Sequence, residues 1–185
     1  MQVRFLSRNA HKIEETRRIL NNYGIEVIGS NVEIEELQTS NTERLLRDKV
    51  LKAFKQIGRP IFVEHTGLYL DLLNGFPGGL TQSFWDKIQK DKFAQLFASS
   101  EKVIAKTSIC YVDGKKIHHF EGAIVGRIVS PPRIDHGFQW DCVFQPDGFS
   151  ETFSEMGTRK DEISMRRIAL EKLATFVTGN ANEHS

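Results

Sequence analysis

The sequence predicts a mixed α/β domain, because helix-like and strand-like segments alternate in its first half and antiparallel strand signals fill its second half. The first half opens with a βαβ unit, made of a strand at residues 3–6, an amphipathic helix from Ile13 and a second strand at 25–28. In the second half, Asp113-Gly114 separates two strand-like runs and is a hairpin signal. With 185 residues, the chain is long enough for one domain with a buried core.

The remaining elements follow from local patterns. Acidic residues in 32–37 indicate a loop or an edge segment, and Thr42 is a candidate N-cap for the next helix. A buried strand at 61–63 runs into the polar residues 64–67, and ligands tend to bind at the carboxyl ends of strands in α/β proteins. The polar residues 179–185 are expected to form a disordered tail, which leaves 1–178 as a single domain. The other predicted elements are a helix at 42–56, a strand at 69–73, a glycine-rich loop at 74–79, a helix at 81–97, strands at 105–112, 118–122 and 123–129, and a helix at 163–176.

Composition argues against several classes of function. The net charge of +1 gives no global field toward nucleic acid or an anionic membrane, so neither is an expected partner. No stretch approaches the ~20 apolar residues of a membrane-spanning helix, and the first residues do not resemble a signal peptide. Cys110 and Cys142 show no metal-binding spacing and are too few for a disulfide framework, which predicts a reducing, cytoplasmic setting.

The segment 133–170 carries the most suggestive chemistry. Three aromatic residues, Phe138, Trp140 and Phe144, precede the cations Lys160 and Arg166. Rings that can stack, beside cations that can donate hydrogen bonds, suit a flat heterocycle that carries phosphates. The same residues are also compatible with a hairpin and an amphipathic helix bearing ordinary surface charge.

Two further patterns suggest phosphate and metal chemistry. Ser7, Asn9 and Lys12 form Ser-x-Asn-x-x-Lys at a strand-to-helix turn, which offers backbone N–H groups and an ammonium to a phosphate. Glu36 and Glu64 carry the oxygen ligands that Mg²⁺ prefers. Taken separately, both patterns also describe solvated residues.

The order of these segments along the chain is more specific than any one of them. The segments are SRNAHK at 7–12, ELQ at 36–38, EHTGL at 64–68, NGFPG at 74–78, FEG at 120–122, GRIV at 126–129, GFQWD at 137–141 and FQPDG at 144–148, followed by Thr152, Glu155-Met156, Lys160 and Ser164-Met165-Arg166. Together they resemble the inosine triphosphate pyrophosphatase family, which cleaves deaminated purine nucleoside triphosphates to the monophosphate and pyrophosphate. The resemblance implies an elongated, two-lobed mixed α/β domain with a central nucleotide-binding cleft, Mg²⁺ as a cofactor and a homodimer.

The resemblance also implies roles for individual residues. Asn9 and Lys12 would contact the phosphates, and Glu36 and Glu64 would lie near Mg²⁺. Phe138 would stack on the purine. The other implied substrate-binding residues are Ser7, Thr66 and Gly67, Trp140 and Asp141 near the nucleoside, Lys160, Ser164 and Arg166 on the base edge, and Met165 beside them. Replacing Arg166 with alanine is accordingly expected to weaken binding far more than it weakens the fold.

Three positions depart from the family pattern. His65 stands at the catalytic position, after Glu64, where the family has a second acid; Met165 replaces a histidine; and Gln82 replaces a lysine or arginine. Histidine is a poor Mg²⁺ ligand, and loss of a general base typically costs ~10²–10⁴-fold in rate. These changes predict a pocket that binds a deaminated purine nucleotide and hydrolyses it slowly or not at all. The alternative is that His65 itself, or a neighbouring acid such as Asp71, acts as the base.

Two main functions therefore remain open. The first is a catalytically impaired nucleotide sensor or regulatory subunit that reports dITP or ITP to an effector protein, with antiviral defence as a candidate setting. The second is an active Mg²⁺-dependent pyrophosphohydrolase for ITP, dITP and XTP. A purely structural subunit is a third reading, disfavoured because the expected base-reading residues are present.

Overall fold

The computed structural model describes residues 1–98, 102–134 and 139–182, with side chains through residue 179. In these ranges, six strands form one mixed sheet in the order β2-β1-β3-β4-β5-β6. The strands are β1 (Gln2–Leu6), β2 (Glu26–Ser30), β3 (Ile61–Leu70), β4 (Val103–Val112), β5 (Ile117–Ile128) and β6 (Phe144–Pro146). The helices are α1 (Ala10–Asn21), α2 (Thr42–Ile57), α3 (Thr81–Ile88), α4 (Lys90–Phe97), α5 (Phe153–Met156) and α6 (Met165–Asn182).

The mixed α/β class predicted from the sequence is confirmed. Strand β1 pairs in parallel with β2 and β3, and the first of these pairings closes the predicted βαβ unit around α1. Strands β3, β4 and β5 pair antiparallel, and the β4–β5 hairpin turns at the predicted Asp113-Gly114. The division into two lobes about a central cleft stays a prediction.

The predicted break after residue 63 is wrong, because β3 is one continuous strand of ten residues. Strand β4 pairs with it along its whole length, from Ile61 opposite Val112 to Leu70 opposite Val103. The polar residues 64–67 therefore lie in the middle of a strand and not at its carboxyl end. The separate strand predicted at 69–73 does not form, since 69 and 70 belong to β3 and Asp71–Leu73 is a 3₁₀ turn.

The two strands predicted at 118–122 and 123–129 are likewise one strand, β5. Gly122 does not end a strand: a Cβ atom at this position would overlap the carbonyl oxygen of Met165. The glycine is needed because the start of α6 lies directly on the sheet.

Three helix boundaries also differ from the predictions. Asn41, not Thr42, caps α2, because its Oδ1 accepts the N–H of Arg44 at 2.9 Å. The helix predicted at 81–97 is divided into α3 and α4 at Gln89, whose φ is +65°. Helix α6 continues through Asn182, so residues 179–182 are helical rather than the start of a disordered tail.

Helices cover both faces of the sheet. Helices α1 and α6 pack on one face, where the rings of Phe5 and Phe62 stack at 4.5 Å. Helix α2 packs on the other face, against Ile61 and Val63 of β3. Because successive side chains of a strand point to opposite faces, Glu64 faces α1 and α6, whereas His65 faces the side of α2. None of the described helices is long and apolar enough to cross a membrane.

Candidate functional site

A buried ionic network joins α1, β3 and α6. The guanidinium of Arg166 is fully buried; its Nε donates to Glu64 Oε2 at 2.7 Å, and its Nη2 donates to Glu64 Oε1 at 3.3 Å. Its Nη1 donates to Glu15 Oε2, and Nη2 also reaches Thr66 Oγ1 at 3.4 Å. The ammonium of Lys12 lies 2.8 Å from Glu64 Oε1. Both oxygens of Glu64 are therefore held by cations.

The charges in this network stabilise one another. Burial alone would raise the pKa of Glu64, but the charges of Arg166 and Lys12 outweigh burial and hold that pKa well below its usual range. Burial lowers the pKa of Lys12, and the carboxylate of Glu64 opposes that shift. For Arg166, Glu64 and Glu15 outweigh the effect of burial and raise its pKa. Glu64 is thus a structural partner of two cations and remains ionised.

A second polar cluster lies around His65. Its Nε2 is 3.3 Å from the carbonyl oxygen of Gly78, so Nε2 carries the proton and Nδ1 is left as an acceptor. Burial, assisted by the charge of Lys12, lowers the pKa of His65 to about 4, which keeps the imidazole neutral at pH 7. Glu36 forms an ion pair with Lys49; burial raises the pKa of Glu36, but Lys49 outweighs it and the net shift is downward. The charge of Lys12 also lowers the pKa of Glu36.

Two members of these clusters, Lys49 and Glu15, were not identified from the sequence. The spacing of each residue from apolar residues of its helix nevertheless indicates that it faces the interior. Lys49 lies four residues after Leu45 and four before Ala53, both buried, so it sits on the apolar face of α2. Glu15 lies four residues before the buried Ile19 on α1. A charged residue on the inner face of a helix requires a partner, so this placement indicates a buried ion pair for each residue.

The two acids expected near Mg²⁺ do not fit a shared ion in this arrangement. The oxygens of Glu64 are occupied by Arg166 and Lys12, and Glu36 is paired with Lys49. In the described part of the chain, no group of three or more His, Cys, Asp or Glu side chains is placed to hold a metal ion. The neutral imidazole of His65 adds no charge to attract Mg²⁺.

A cavity of about 210 Å³ opens between α1 and the segment that precedes α6. Asp141 and Lys160 form a buried ion pair on its wall, with Lys160 Nζ 2.5 Å from Asp141 Oδ2. Burial raises the pKa of Asp141, and Lys160 opposes that shift. The ammonium also lies 5.2 Å from the centroid of the Phe153 ring. The cavity is lined by His11, Glu14, Glu15, Arg18, Asp141, Phe153, Ser154, Gly157, Thr158, Lys160 and Asp161.

The predicted phosphate-side residues lie on two parts of the chain, with Ser7 and Asn9 in the turn between β1 and α1 and Thr66 and Gly67 within β3. Ser7 Oγ accepts the N–H of Asn9 at 3.2 Å, and Asn9 Oδ1 caps α1 by accepting the N–H of Lys12 at 3.2 Å. Thr66 Oγ1 is hydrogen-bonded to Thr107 Oγ1 at 2.7 Å. A Cβ atom at Gly67 would lie 2.5 Å from the carbonyl oxygen of Gly78, so the glycine allows the 78–80 turn to approach β3.

The predicted base-side residues lie in different surroundings, and two of them are buried in the core. Trp140 is 2% exposed and packs edge-on against Phe144 at 5.6 Å, so it belongs to the core and offers no open face for stacking. Ser164 Oγ accepts the N–H of Arg167 at 3.1 Å, and Met165 is buried in the core. Gln82 is hydrogen-bonded to Gln139. Phe138 lies outside the described residues.

The mixed sheet, the buried ionic network and the small polar cavity define an α/β protein with a buried, charged candidate site. Residues 3–176 match the Ham1 family, and the chain belongs to that family. The dITP/XTP pyrophosphatase of Methanopyrus kandleri is 34% identical over 185 residues, covering 97% of this chain and 98% of that protein. The inosine triphosphate pyrophosphatase of Yarrowia lipolytica is 35% identical over 188 residues, covering 99% of each.

Solved structures show the same fold. A HAM1 protein from Coxiella burnetii superposes with a TM-score of 0.80 at 26% identity, covering 97% of this chain and 99% of that chain. The Ham1 protein of Staphylococcus aureus superposes with a TM-score of 0.75 at 20% identity, covering 97% of this chain and 100% of that chain, and this similarity concerns the fold alone. The family resemblance read from the ordered motifs is confirmed.

Proposed function

We propose that this protein binds a deaminated purine nucleoside triphosphate of the dITP/ITP class. The names of its relatives, dITP/XTP pyrophosphatase and inosine triphosphate pyrophosphatase, indicate the ligand class. The observation that carries the proposal for this chain is the buried Asp141–Lys160 pair in a cavity of about 210 Å³. Pockets for drug-sized ligands span ~300–1,000 Å³, so this cavity suits one ring system and not a whole nucleotide.

The pair has the chemistry needed to read the edge of a 6-oxopurine. Lys160 can donate to the 6-oxo oxygen, while Asp141 Oδ1, which has no hydrogen-bond partner among the described residues, can accept the neighbouring N1–H. Adenine presents the opposite pattern, an amino donor at position 6 and an acceptor at N1. Each adenine group would then face a side chain of the wrong kind, which costs more than a missing contact.

The phosphates would be bound near Lys12 and Lys49, at the amino end of α1. Lys12 and Lys49 supply two positive charges near the first turn of α1, whose backbone N–H groups favour an anion. Ser7 and Asn9 shape that turn. Both lysines are ion-paired to carboxylates in this structure, so a triphosphate would have to compete with Glu64 and Glu36 for them.

We further propose that hydrolysis is impaired and that the protein acts as a sensor. The support is that His65 is neutral and hydrogen-bonded to Gly78, while both nearby carboxylates are held by cations. A ligand that is bound and not consumed can shift a conformational equilibrium. A partner is needed to report that shift, either a second copy of the chain or an effector protein, and a setting in antiviral defence would fit such a role.

The second candidate is an active Mg²⁺-dependent pyrophosphohydrolase. It is favoured by the names of the relatives and by Nδ1 of His65, which is an acceptor and could take a proton from water. In this case the ion pairs of Glu36 and Glu64 would have to open when Mg²⁺ and substrate enter together.

One experiment separates these functions. Calorimetric titration with dITP, dATP and dGTP measures binding, and pyrophosphate release from dITP with Mg²⁺ measures turnover. We expect dITP to bind and turnover to stay far below ~1 s⁻¹, the low end of common enzyme rates. His65→Asp should then raise turnover, whereas His119→Asp, which adds the same charge at an exposed position of β5, should not. Turnover of about 1 s⁻¹ or faster in the unmodified protein would establish the enzyme instead.

A further inference from the structure

The cavity that contains the Asp141–Lys160 pair is rich in carboxylates. Four acids line it, Glu14, Glu15, Asp141 and Asp161, against two permanent cations, Arg18 and Lys160. Three of these acids, all but Glu14, are shielded from solvent to a large extent. Such a lining is unfavourable for any ligand group that carries negative charge.

Both cations of the described lining are already paired with acids of the same cavity. Lys160 lies 2.5 Å from Asp141 Oδ2. Arg18 reaches from α1 to Asp161, with Nε and Nη2 each 2.7 Å from Asp161 Oδ2. Glu15 accepts a hydrogen bond from Arg166, which does not line the cavity. Both cations of this wall are therefore already engaged by its own carboxylates.

Two carboxylate oxygens on this wall have no hydrogen-bond partner in the part of the chain that is described. They are Glu15 Oε1 and Asp141 Oδ1, and both side chains are about nine-tenths buried or more. Buried polar atoms nearly always have a partner, so an orphaned acceptor that borders a cavity indicates a ligand that brings N–H donors. In each acid, one oxygen holds a cation and the other is left for the ligand.

We infer that this cavity selects hypoxanthine over xanthine nucleotides, and that Asp161 is a specificity-determining residue. The inference rests on the proposed function, which places the base in this cavity. Hypoxanthine is neutral at neutral pH and offers its N1–H to a carboxylate. Xanthine carries an additional oxygen at position 2, which is a further acceptor, and its nucleosides lose a proton in the mildly acidic range. The xanthine base thus brings negative charge to a wall that already carries an excess of it.

Asp161 determines how much positive charge the cavity can offer. Its carboxylate engages the guanidinium of Arg18, 143 positions away in sequence, and so neutralises the only arginine on the described wall. Without that carboxylate, Arg18 would be available to an anionic base.

The test is calorimetric titration of the full chain with ITP and XTP at neutral pH. The unmodified protein should bind ITP at least about tenfold more tightly than XTP, equivalent to ~1.4 kcal/mol. Asp161→Asn should strengthen XTP binding and reduce the ratio, because it removes one negative charge and releases Arg18. Glu14→Gln, which removes an exposed charge of the same wall, should shift the ratio in the same direction and replaces Asp161→Asn if that variant is unstable. Glu162→Gln, at an exposed neighbouring position outside the cavity, is the matched control and should leave the ratio unchanged.

Two results would overturn the inference while the proposed function stands. One is equal affinity of the unmodified protein for ITP and XTP. The other is an ITP/XTP ratio that a folded Asp161→Asn variant leaves unchanged or, if that variant is unstable, that Glu14→Gln leaves unchanged. If the unmodified protein binds neither nucleotide, the proposed function fails and the inference fails with it.

Discussion

Replacing Arg166 with methionine should destabilise the protein severely. The guanidinium is fully buried and holds two carboxylates, Glu64 and Glu15, which are themselves buried. Methionine fills much of the same space but leaves both carboxylates without their main cation. This differs from the expectation drawn from sequence, in which loss of Arg166 affects binding far more than the fold.

The size of the effect follows from the burial of the pair. Removing one partner of a buried ion pair typically costs ~3–5 kcal/mol, because a charge is left uncompensated inside the protein. Lys12 still neutralises part of Glu64, so the lower end of that range is expected. Since domains of this size unfold with ~5–15 kcal/mol, the variant would lose a large share of its stability. For a protein of 150–250 residues, a loss of about 3 kcal/mol corresponds to a fall in Tm of roughly 6–12 °C.

The assay is thermal and urea unfolding followed by circular dichroism, without nucleotide. Arg167→Met is the matched control, because the neighbouring arginine is partly exposed and pairs with Glu171 one turn along α6 and with a backbone carbonyl. Exposed pairs of that kind contribute ~0–1 kcal/mol, so this control should melt close to the unmodified protein. If Arg166→Met melts within about 2 °C of Arg167→Met, the buried network does not stabilise the fold as argued.

Three further predictions concern the site. Lys160→Met should weaken ITP binding by about 1.5–3 kcal/mol, because it removes a charged donor from the base pocket, and calorimetry at a temperature where the variant is folded measures this. Replacing Mg²⁺ with EDTA should change ITP affinity by less than about tenfold, since Glu36 and Glu64 are held by lysine and arginine; a larger loss would show that the metal is part of the bound complex. Stability should fall as pH drops from 6.5 toward 4, because burial depresses the pKa of His65 to about 4 and the unfolded chain takes up the proton first; His65→Gln should show a shallower decline in unfolding titrations across that window.

Local features of the fold were readable from the sequence. The βαβ opening, the hairpin at Asp113-Gly114 and the C-terminal helix depend on short-range periodicity and turn residues, which act within a few positions. The errors occurred where a distant segment decides the local structure. Strand β3 continues through its polar residues because β4 supplies hydrogen bonds along its full length, and β5 continues through Gly122 because that residue pairs with Thr107 of β4.

The sequence by itself determined the fold class, the family and the set of polar segments that surround the site, because those depend on residue types in a fixed order. Only the tertiary structure decided what each polar residue does. Glu64, expected near a metal, is paired with two cations; Trp140, expected beside the nucleoside, is buried in the core; and Arg166, expected on the base edge, is fully buried between Glu64 and Glu15. Lys49 and Glu15 gained roles from partners on other elements, Glu36 and Arg166. The physical reason is that the role of a charged side chain depends on which charges lie next to it in the folded protein. Sequence spacing does not specify contacts between residues 100 or more positions apart, such as Arg166 and Glu64.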